Sequence, residues 1–139
     1  IVTASRDESA RVMSQVKRVV RTNYSNPPTH GGAIVAAVLS SPELRKLWEE
    51  ELAGMRERIR AMRTGLVDKL KARGVAQDFS FIAHQRGMFS YTGLTAGLVE
   101  RLKDEFGIYA VGTGRICLAA LNTRNLDYVA DAIAAVIRK

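Results

Sequence analysis

Residues 88–121, MFSYTGLTAGLVERLKDEFGIYAVGTGRICLAAL, contain the most informative pattern of strands, helix and turns in this sequence. We expect a strand over 88–91, then a capped helix, then strands over 108–111 and 115–119 that a glycine turn joins. This order is typical of a small, largely antiparallel sheet packed against helices. The turn also places Arg115 at the start of its strand, directly after a glycine.

The preceding part of the chain is predicted to be helical, apart from a short strand at 79–82. Ser41-Pro42-Glu43 supplies an N-cap, a proline at the first helical position and an acid in the first turn. The helix that follows should end near Arg73-Gly74. Its apolar residues recur every three or four positions: Leu44, Trp48, Leu52, Met55, Ile59, Met62, Leu66 and Leu70.

The first forty residues contain two shorter predicted helices. Ile1-Val2 resembles the end of a strand, and Ser5 to Glu8 has the form of a capping box that starts a helix to about Thr22. Residues 23–32, with two adjacent prolines, interrupt the helix. The apolar residues of the second helix are expected to pack inside: Ile34, Val35, Val38 and Leu39.

Composition restricts the classes of partner and compartment. The net charge of +7 raises nucleic acid as a partner. However, the basic residues alternate with acids and only 6% of residues are aromatic, so solvated helix faces are expected and nucleic acid is not. No apolar run approaches the roughly 18 residues that span a bilayer, so no membrane partner is expected. The single cysteine, Cys117, predicts a reducing, cytoplasmic location.

Arg115 is the best candidate binding residue in the sequence. Its planar guanidinium could hold a carboxylate through two parallel hydrogen bonds. An edge-strand arginine paired with a local acid is an equally good interpretation. Arg21 lies at the end of a helix, where a cation favours the helix dipole. Phe89, in a Gly-Met-Phe-Ser segment, is more often a core residue than a ligand contact.

Other reactive side chains lack a catalytic setting. His30 and His84 fall in turn segments without a nearby triad or metal-ligand spacing. The lysines occupy charged helical segments or the C-terminus, so no lysine with a lowered pKa is predicted that could form a Schiff base.

Five segments together resemble a known family: RTNYSNPPTHG (21–31), MRERIRAMRTGLVDK (55–69), QRGMFSYTGL (85–94), EFGIYA (105–110) and GRICLAAL (114–121). In this co-linear order they are similar to the C-terminal part of class I, fold-type I aminotransferases of the aspartate/aromatic group. The resemblance covers nearly the whole chain. The segments QRGMFSYTGL and GRICLAALN resemble the aromatic amino-acid branch most, with aspartate aminotransferases as close neighbours.

The resemblance implies a fold, a domain arrangement and a cofactor. The fold would be α+β, the small domain of a pyridoxal-phosphate-dependent transferase. Residues 1–41 would be the end of the large-domain region and the interdomain segment, 42–73 the long interdomain helix and 74–139 the small C-terminal domain. The family uses pyridoxal 5'-phosphate, works as a homodimer and transfers an amino group between an amino acid and a 2-oxo acid such as 2-oxoglutarate.

The resemblance also implies roles for three residues. Arg115 would bind the substrate α-carboxylate, and Arg21 would reach the neighbouring subunit's site and pair with a distal carboxylate. Phe89 would line the pocket beside Arg115.

The family's cofactor-bearing lysine has no counterpart in this sequence. The cofactor would therefore be bound by an upstream region of the same protein, and this chain alone is predicted not to transaminate. The alternative hypothesis is a non-enzymatic basic module that binds an acidic partner or nucleic acid.

Overall fold

The computed structural model describes residues 2–26 and 28–138. Over these ranges the helices are α1 (Arg6–Tyr24), α2 (His30–Ser40), α3 (Pro42–Ala72), the one-turn α4 (Phe81–His84), α5 (Ala96–Phe106) and α6 (Leu126–Arg138). Two strands, β1 (Phe89–Tyr91) and β2 (Arg115–Cys117), pair antiparallel, and a 3₁₀ turn follows over Leu118–Ala120. The chain divides into two compact units, Ile1–Trp48 and Glu49–Lys139.

The first unit begins with the predicted cap. The Ser5 hydroxyl accepts from the amide of Glu8 at 3.2 Å, and the Glu8 carboxylate accepts from the Ala4 amide at 3.1 Å. These bonds satisfy donors that have no partner in the first turn of a helix, so α1 starts where the sequence predicts. The predicted strand end at Ile1 and the first proline of the breaker segment, Pro27, lie outside the described residues.

The prediction that the second helix packs inside is wrong for most of its apolar residues. Ile34, Val35 and Leu39 are all exposed, and α2 has no buried residue. A helix buries an apolar face only where another element covers it, and the described part of this chain places none there.

The second unit contains the hydrophobic core. Its buried residues come mainly from the end of α3, from α5 and from α6: Met62, Leu66, Leu70, Val99, Leu102, Leu126, Ala130, Ile133 and Val136. The apolar pattern of α3 is therefore buried only in its second half, whereas Leu44, Trp48 and Met55 are exposed. The predicted helix over 42–73 is confirmed almost to the residue.

Helix α5 is defined at both ends by local bonds. The Thr95 hydroxyl accepts from the Leu98 amide at 3.4 Å, and Gly107 adopts a left-handed conformation with φ of +64°. An N-cap acceptor and a left-handed glycine are the residues that sequence reasoning assigns to helix ends, and both predictions are confirmed.

The sheet is smaller than the sequence predicts. The strand predicted at 79–82 is wrong, because the Asp78 carboxylate accepts from the amide and hydroxyl of Ser80 and turns the chain into α4. Of the strand predicted at 108–111, only Val111 makes a bridge, to Arg115. Strand β2 ends at Cys117, where the predicted strand over 115–119 passes into the 3₁₀ turn.

The predicted α+β class is confirmed, with one two-stranded antiparallel sheet among the described residues. In the register, Phe89 lies opposite Cys117, Ser90 opposite Ile116 and Tyr91 opposite Arg115. None of the helices in the described ranges has the length and apolar character needed to cross a membrane.

Candidate functional site

The guanidinium of Arg115 lies over the ring of Phe89. The Cζ atom is 5.0 Å from the ring centroid, within the range of a cation–π interaction. The two residues are 26 positions apart in sequence, and the pairing of β1 with β2 brings them together. The structure therefore places two of the three predicted site residues side by side.

No acid neutralises Arg115 within the part of the chain that the structure describes. The residue is exposed, and none of the hydrogen bonds or ion pairs of these residues involves its guanidinium. The alternative of an edge-strand arginine paired with a local acid is thus not what the structure contains. With respect to residues 2–26 and 28–138, all five N–H donors of the side chain are available to a ligand.

Gly114 fixes the direction in which the chain enters β2. Its carbonyl accepts from the amide of Thr92 at 2.9 Å and from the Thr92 hydroxyl at 2.8 Å. Its φ is +81°, and an added Cβ would lie 2.6 Å from the carbonyl oxygen of Leu94. Only glycine meets both conditions, so the residue before Arg115 is specified by close backbone contact as well as by conformation.

The Gln85 side chain pairs with the outer edge of β1 in the two-stranded ribbon that β1 and β2 form. Its amide group donates to the Tyr91 carbonyl at 3.2 Å and accepts from the Tyr91 amide at 3.1 Å. These two bonds imitate a strand neighbour, because they satisfy both backbone groups of a residue in β1. Gln85 thereby helps to hold the strand that contains Phe89.

Arg63 is a residue that the sequence analysis did not single out. It is only 3% exposed, and its guanidinium donates to the carbonyls of Ile82 at 3.0 Å and Gly87 at 2.7 Å and to the Ser90 hydroxyl. Burial lowers the pKa of Arg63 below its ordinary value. The signal in the sequence was its place four residues after Ile59, on the apolar face of the predicted helix.

Arg58, from the same helix, contacts the other end of the ribbon. It donates to the carbonyl of Leu121 at 2.9 Å and to that of Ala119 at 3.0 Å, just beyond β2. Two arginines of α3 thus supply side-chain donors to backbone carbonyls in the segments that flank β1 and β2.

Arg21 lies in the first unit, in the last turn of α1. Its Nη1 atom donates to the hydroxyl of Ser25, which has a φ of +60°, at 2.5 Å. The side chain is exposed, and its position at the C-terminus of a helix is also the position where a cation favours the dipole. The structure describes Arg21 within its own unit and the other two predicted site residues within the second unit.

The remaining polar candidates form no further centre. Cys117 is a half-buried free thiol. His30 and His84 are both exposed, and the described residues contain no group of three or more potential metal ligands.

The comparisons with known proteins identify the family. The profile of "Aminotransferase class I and II" matches residues 1–133. The chain belongs to this family. It is 68% identical over 137 residues to aspartate aminotransferase from Pseudomonas aeruginosa, and 48% identical over 131 residues to aromatic-amino-acid aminotransferase from Escherichia coli. These alignments cover 99% and 94% of this chain but only 34% and 33% of the two relatives.

A solved structure agrees with the sequence comparison. Aromatic-amino-acid aminotransferase from Burkholderia pseudomallei, covalently bound to pyridoxal phosphate, shares 74% identity with a TM-score of 0.95. The match covers 99% of this chain and 34% of that one. The resemblance and fold inferred from sequence are thereby confirmed: the chain is an aminotransferase segment that spans about a third of its relatives. The alternative of a non-enzymatic basic module receives no support.

Proposed function

We propose that this aminotransferase segment supplies the substrate-carboxylate site of an aspartate or aromatic amino-acid transaminase. The single observation that carries the proposal is the free, exposed guanidinium of Arg115 over the ring of Phe89. A guanidinium with two parallel donors matches the geometry of an α-carboxylate, which every amino acid and 2-oxo acid substrate has. The glycine turn at Gly114 and the pairing of β1 with β2 fix the direction of the Arg115 guanidinium.

The residues of this chain bind and orient the substrate. Arg115 would hold the α-carboxylate by two charge-assisted bonds, and Phe89 would cover one face of the guanidinium and keep it in place. Orientation of this kind removes rotational freedom before the reaction and can contribute several kcal/mol to catalysis. Arg21 would pair with the second carboxylate of aspartate or glutamate. When the substrate is aromatic, the Arg21 side chain would move aside so that the ring can occupy the same position.

Pyridoxal 5'-phosphate would supply the electron sink of the reaction when it is bound. The residues around the ribbon do not fit the covalent attachment of this cofactor, because positions 85–94 and 111–117 contain no lysine. Elsewhere, Lys69 is bound to Asp127 and Lys103 lies beside Asp104. We therefore assign cofactor binding to a region of the protein outside this chain. We also propose that the working state of the protein is a homodimer in the cytoplasm.

The domain assignment is part of the same proposal. Residues 1–41 would belong to the large-domain region and interdomain segment, 42–73 to the interdomain helix, and 74–139 to the small domain. The continuous helix α3 over Pro42–Ala72 supports the middle assignment.

The test uses a completed enzyme, defined as this chain joined to the upstream two thirds of the Pseudomonas aeruginosa aspartate aminotransferase. Arg115→Leu should lower kcat/KM by more than about 100-fold for aspartate and tyrosine alike, because it removes two bonds of at least about 1.5 kcal/mol each. Arg21→Leu should reduce activity towards aspartate far more than towards tyrosine. Equal losses for both amino acids would contradict the role of Arg21, and an unchanged KM in Arg115→Leu would overturn the proposal.

The chain without its upstream region provides the complementary measurement. We expect no transamination from the 139 residues with added pyridoxal 5'-phosphate, because the substrate site lacks the lysine that moves the proton. Measurable turnover by this chain would show that one of its own lysines can replace the missing one.

A further inference from the structure

Arg63 is a buried cation that no carboxylate of the described residues neutralises. Its guanidinium makes three hydrogen bonds, and all three acceptors are uncharged: two backbone carbonyls and one hydroxyl. None of the described residues pairs a carboxylate with it. A buried arginine without a carboxylate is uncommon, because an apolar side chain would occupy the same space without the loss of hydration. The positions of the three acceptors therefore indicate the role of this buried charge.

The acceptors of Arg63 lie in strand β1 and in the segment that leads into it. Ile82 belongs to α4, Gly87 is in the turn that leads into the strand, and Ser90 is the central residue of the strand. Gly87 has a φ of +81°, which the turn needs in order to present its carbonyl. One side chain from α3 thus fixes the start and the middle of β1 relative to the helix.

The position of β1 determines the position of the candidate site. Ser90, which is buried, lies between Phe89 and Tyr91, so the bond to Arg63 fixes the strand residue next to the ring under Arg115. Ser90 is also paired in register with Ile116, the neighbour of Arg115. A displacement of the middle of β1 would move the ring and, through the ladder, the guanidinium above it.

We propose that Arg63 is a positioning residue for substrate binding: it holds β1 so that Phe89 and Arg115 keep the geometry that a carboxylate requires. The inference rests on the proposed role of Arg115. Arg63 itself is buried and bonds to Ser90 rather than to Phe89 or Arg115, so its effect is transmitted through Ser90 and the strand. A fixed guanidinium loses less freedom when it binds, which is the general benefit of a rigid site.

The first experiment compares Arg63→Met and Arg63→Lys in the completed enzyme. Arg63→Met should lower kcat/KM by about 10- to 100-fold, the size of effect that a small misplacement of substrate produces. The loss should be equal for aspartate and tyrosine and should lie mainly in KM, because the α-carboxylate is common to both. Arg63→Lys retains a donor cation and should recover part of the loss.

Arg101 offers a matched control within the same unit. It also donates to a backbone carbonyl, that of Val136 at 2.8 Å, but it contacts neither strand and pairs with Glu105. Arg101→Met removes a half-buried arginine from the α5–α6 contact. We expect its KM to equal that of the unmodified enzyme.

A double substitution separates positioning from general support of the fold. If Arg63 acts through Arg115, Arg63→Met should cause no further rise in KM once Arg115 has been replaced by Leu. The inference would be overturned if Arg63→Met raised KM as much in the Arg115→Leu protein as in the unmodified enzyme. It would also be overturned if Arg63→Met had a wild-type KM while Arg115→Leu was impaired. An unchanged KM in Arg115→Leu alone would instead contradict the proposed function.

Ser90→Ala keeps the inference testable if Arg63→Met fails to yield folded protein. It removes one of the three acceptors and leaves the arginine in place. We expect a rise in KM of about 2- to 10-fold for both amino acids, the equivalent of one ordinary hydrogen bond, because Arg63 keeps its two carbonyl acceptors. A wild-type KM in Ser90→Ala would overturn the proposed route from Arg63 to the site.

Discussion

Replacement of Gly114 by alanine tests how tightly the turn before Arg115 is specified. Two features of the structure oppose the substitution. The residue has a φ of +81°, and the new Cβ would lie 2.6 Å from the Leu94 carbonyl oxygen and 3.3 Å from the Leu94 nitrogen. Both neighbours are backbone atoms, so neither can move away by a change of rotamer.

The magnitude follows from these two contributions. A left-handed conformation costs an alanine about 1–2 kcal/mol. A forced contact in a well-packed region adds about 1–3 kcal/mol. We therefore expect Gly114→Ala to lower the free energy of unfolding by about 2–5 kcal/mol, with a displaced Arg115 in any protein that remains folded.

Gly74→Ala is the control that isolates the steric contact. Gly74 has a φ of +68°, but nothing lies within 4 Å of a Cβ at that position. Gly74→Ala shares with Gly114→Ala the cost of the left-handed conformation and the reduced entropy of the unfolded chain. The difference in unfolding free energy between the two variants therefore measures the clash with Leu94. Gly54→Ala, within α3 and in open space, should instead be slightly stabilising.

The assay is thermal unfolding of the completed enzyme with its variants, followed by kcat/KM for aspartate and tyrosine. At about 2–4 °C per kcal/mol for a domain of 150–250 residues, Gly114→Ala should lower Tm by at least about 4 °C. It should also raise KM for both substrates, whereas Gly74→Ala should leave KM unchanged. A Gly114→Ala variant no less stable than Gly74→Ala would refute the argument from close backbone contact.

The remaining predictions concern one ion-pair cluster and one ring. The pKa values of Asp127 and Asp131 are lowered by bonds from Lys69 and Arg73, so these pairs stabilise the fold above the unfolded pKa of about 3.9 and lose that effect as pH falls through the lower folded values. Replacement of both acids by Asn should flatten the fall in Tm below about pH 4, and Asp104→Asn should not. Phe89→Leu should lower kcat/KM about 2- to 5-fold for all substrates, because an exposed cation–π contact contributes about 0.5–1 kcal/mol; loss for one substrate class alone would contradict this.

Helix boundaries were predictable because local bonds define them. The Ser5 and Thr95 hydroxyls each accept from an amide three residues ahead, and Gly107 ends its helix by its own conformation. Partners three or four residues apart are within reach as soon as the helix forms, so their identity can be inferred from the sequence. The same holds for the spacing of apolar residues in α3.

The two errors in the sheet came from patterns that are locally ambiguous. Residues 79–82 alternate in a way that fits a strand, but Asp78 accepts from Ser80 and starts a helical turn instead. Residues 108–111 are apolar enough for a strand, yet the described chain offers them a bridge only at Val111. A strand requires a partner, and a short segment cannot specify which partner it will have.

The family, the helices other than α4 and the glycine turn that precedes Arg115 could be inferred from the sequence alone. Tertiary structure decided which side chains meet: Phe89 reaches Arg115 through strand pairing, and Arg63 reaches acceptors that are 19 to 27 residues away. The physical reason is the range of the interactions. Helix caps and turns depend on neighbours in the chain, whereas the buried arginine finds its acceptors only after α3 and β1 have packed together.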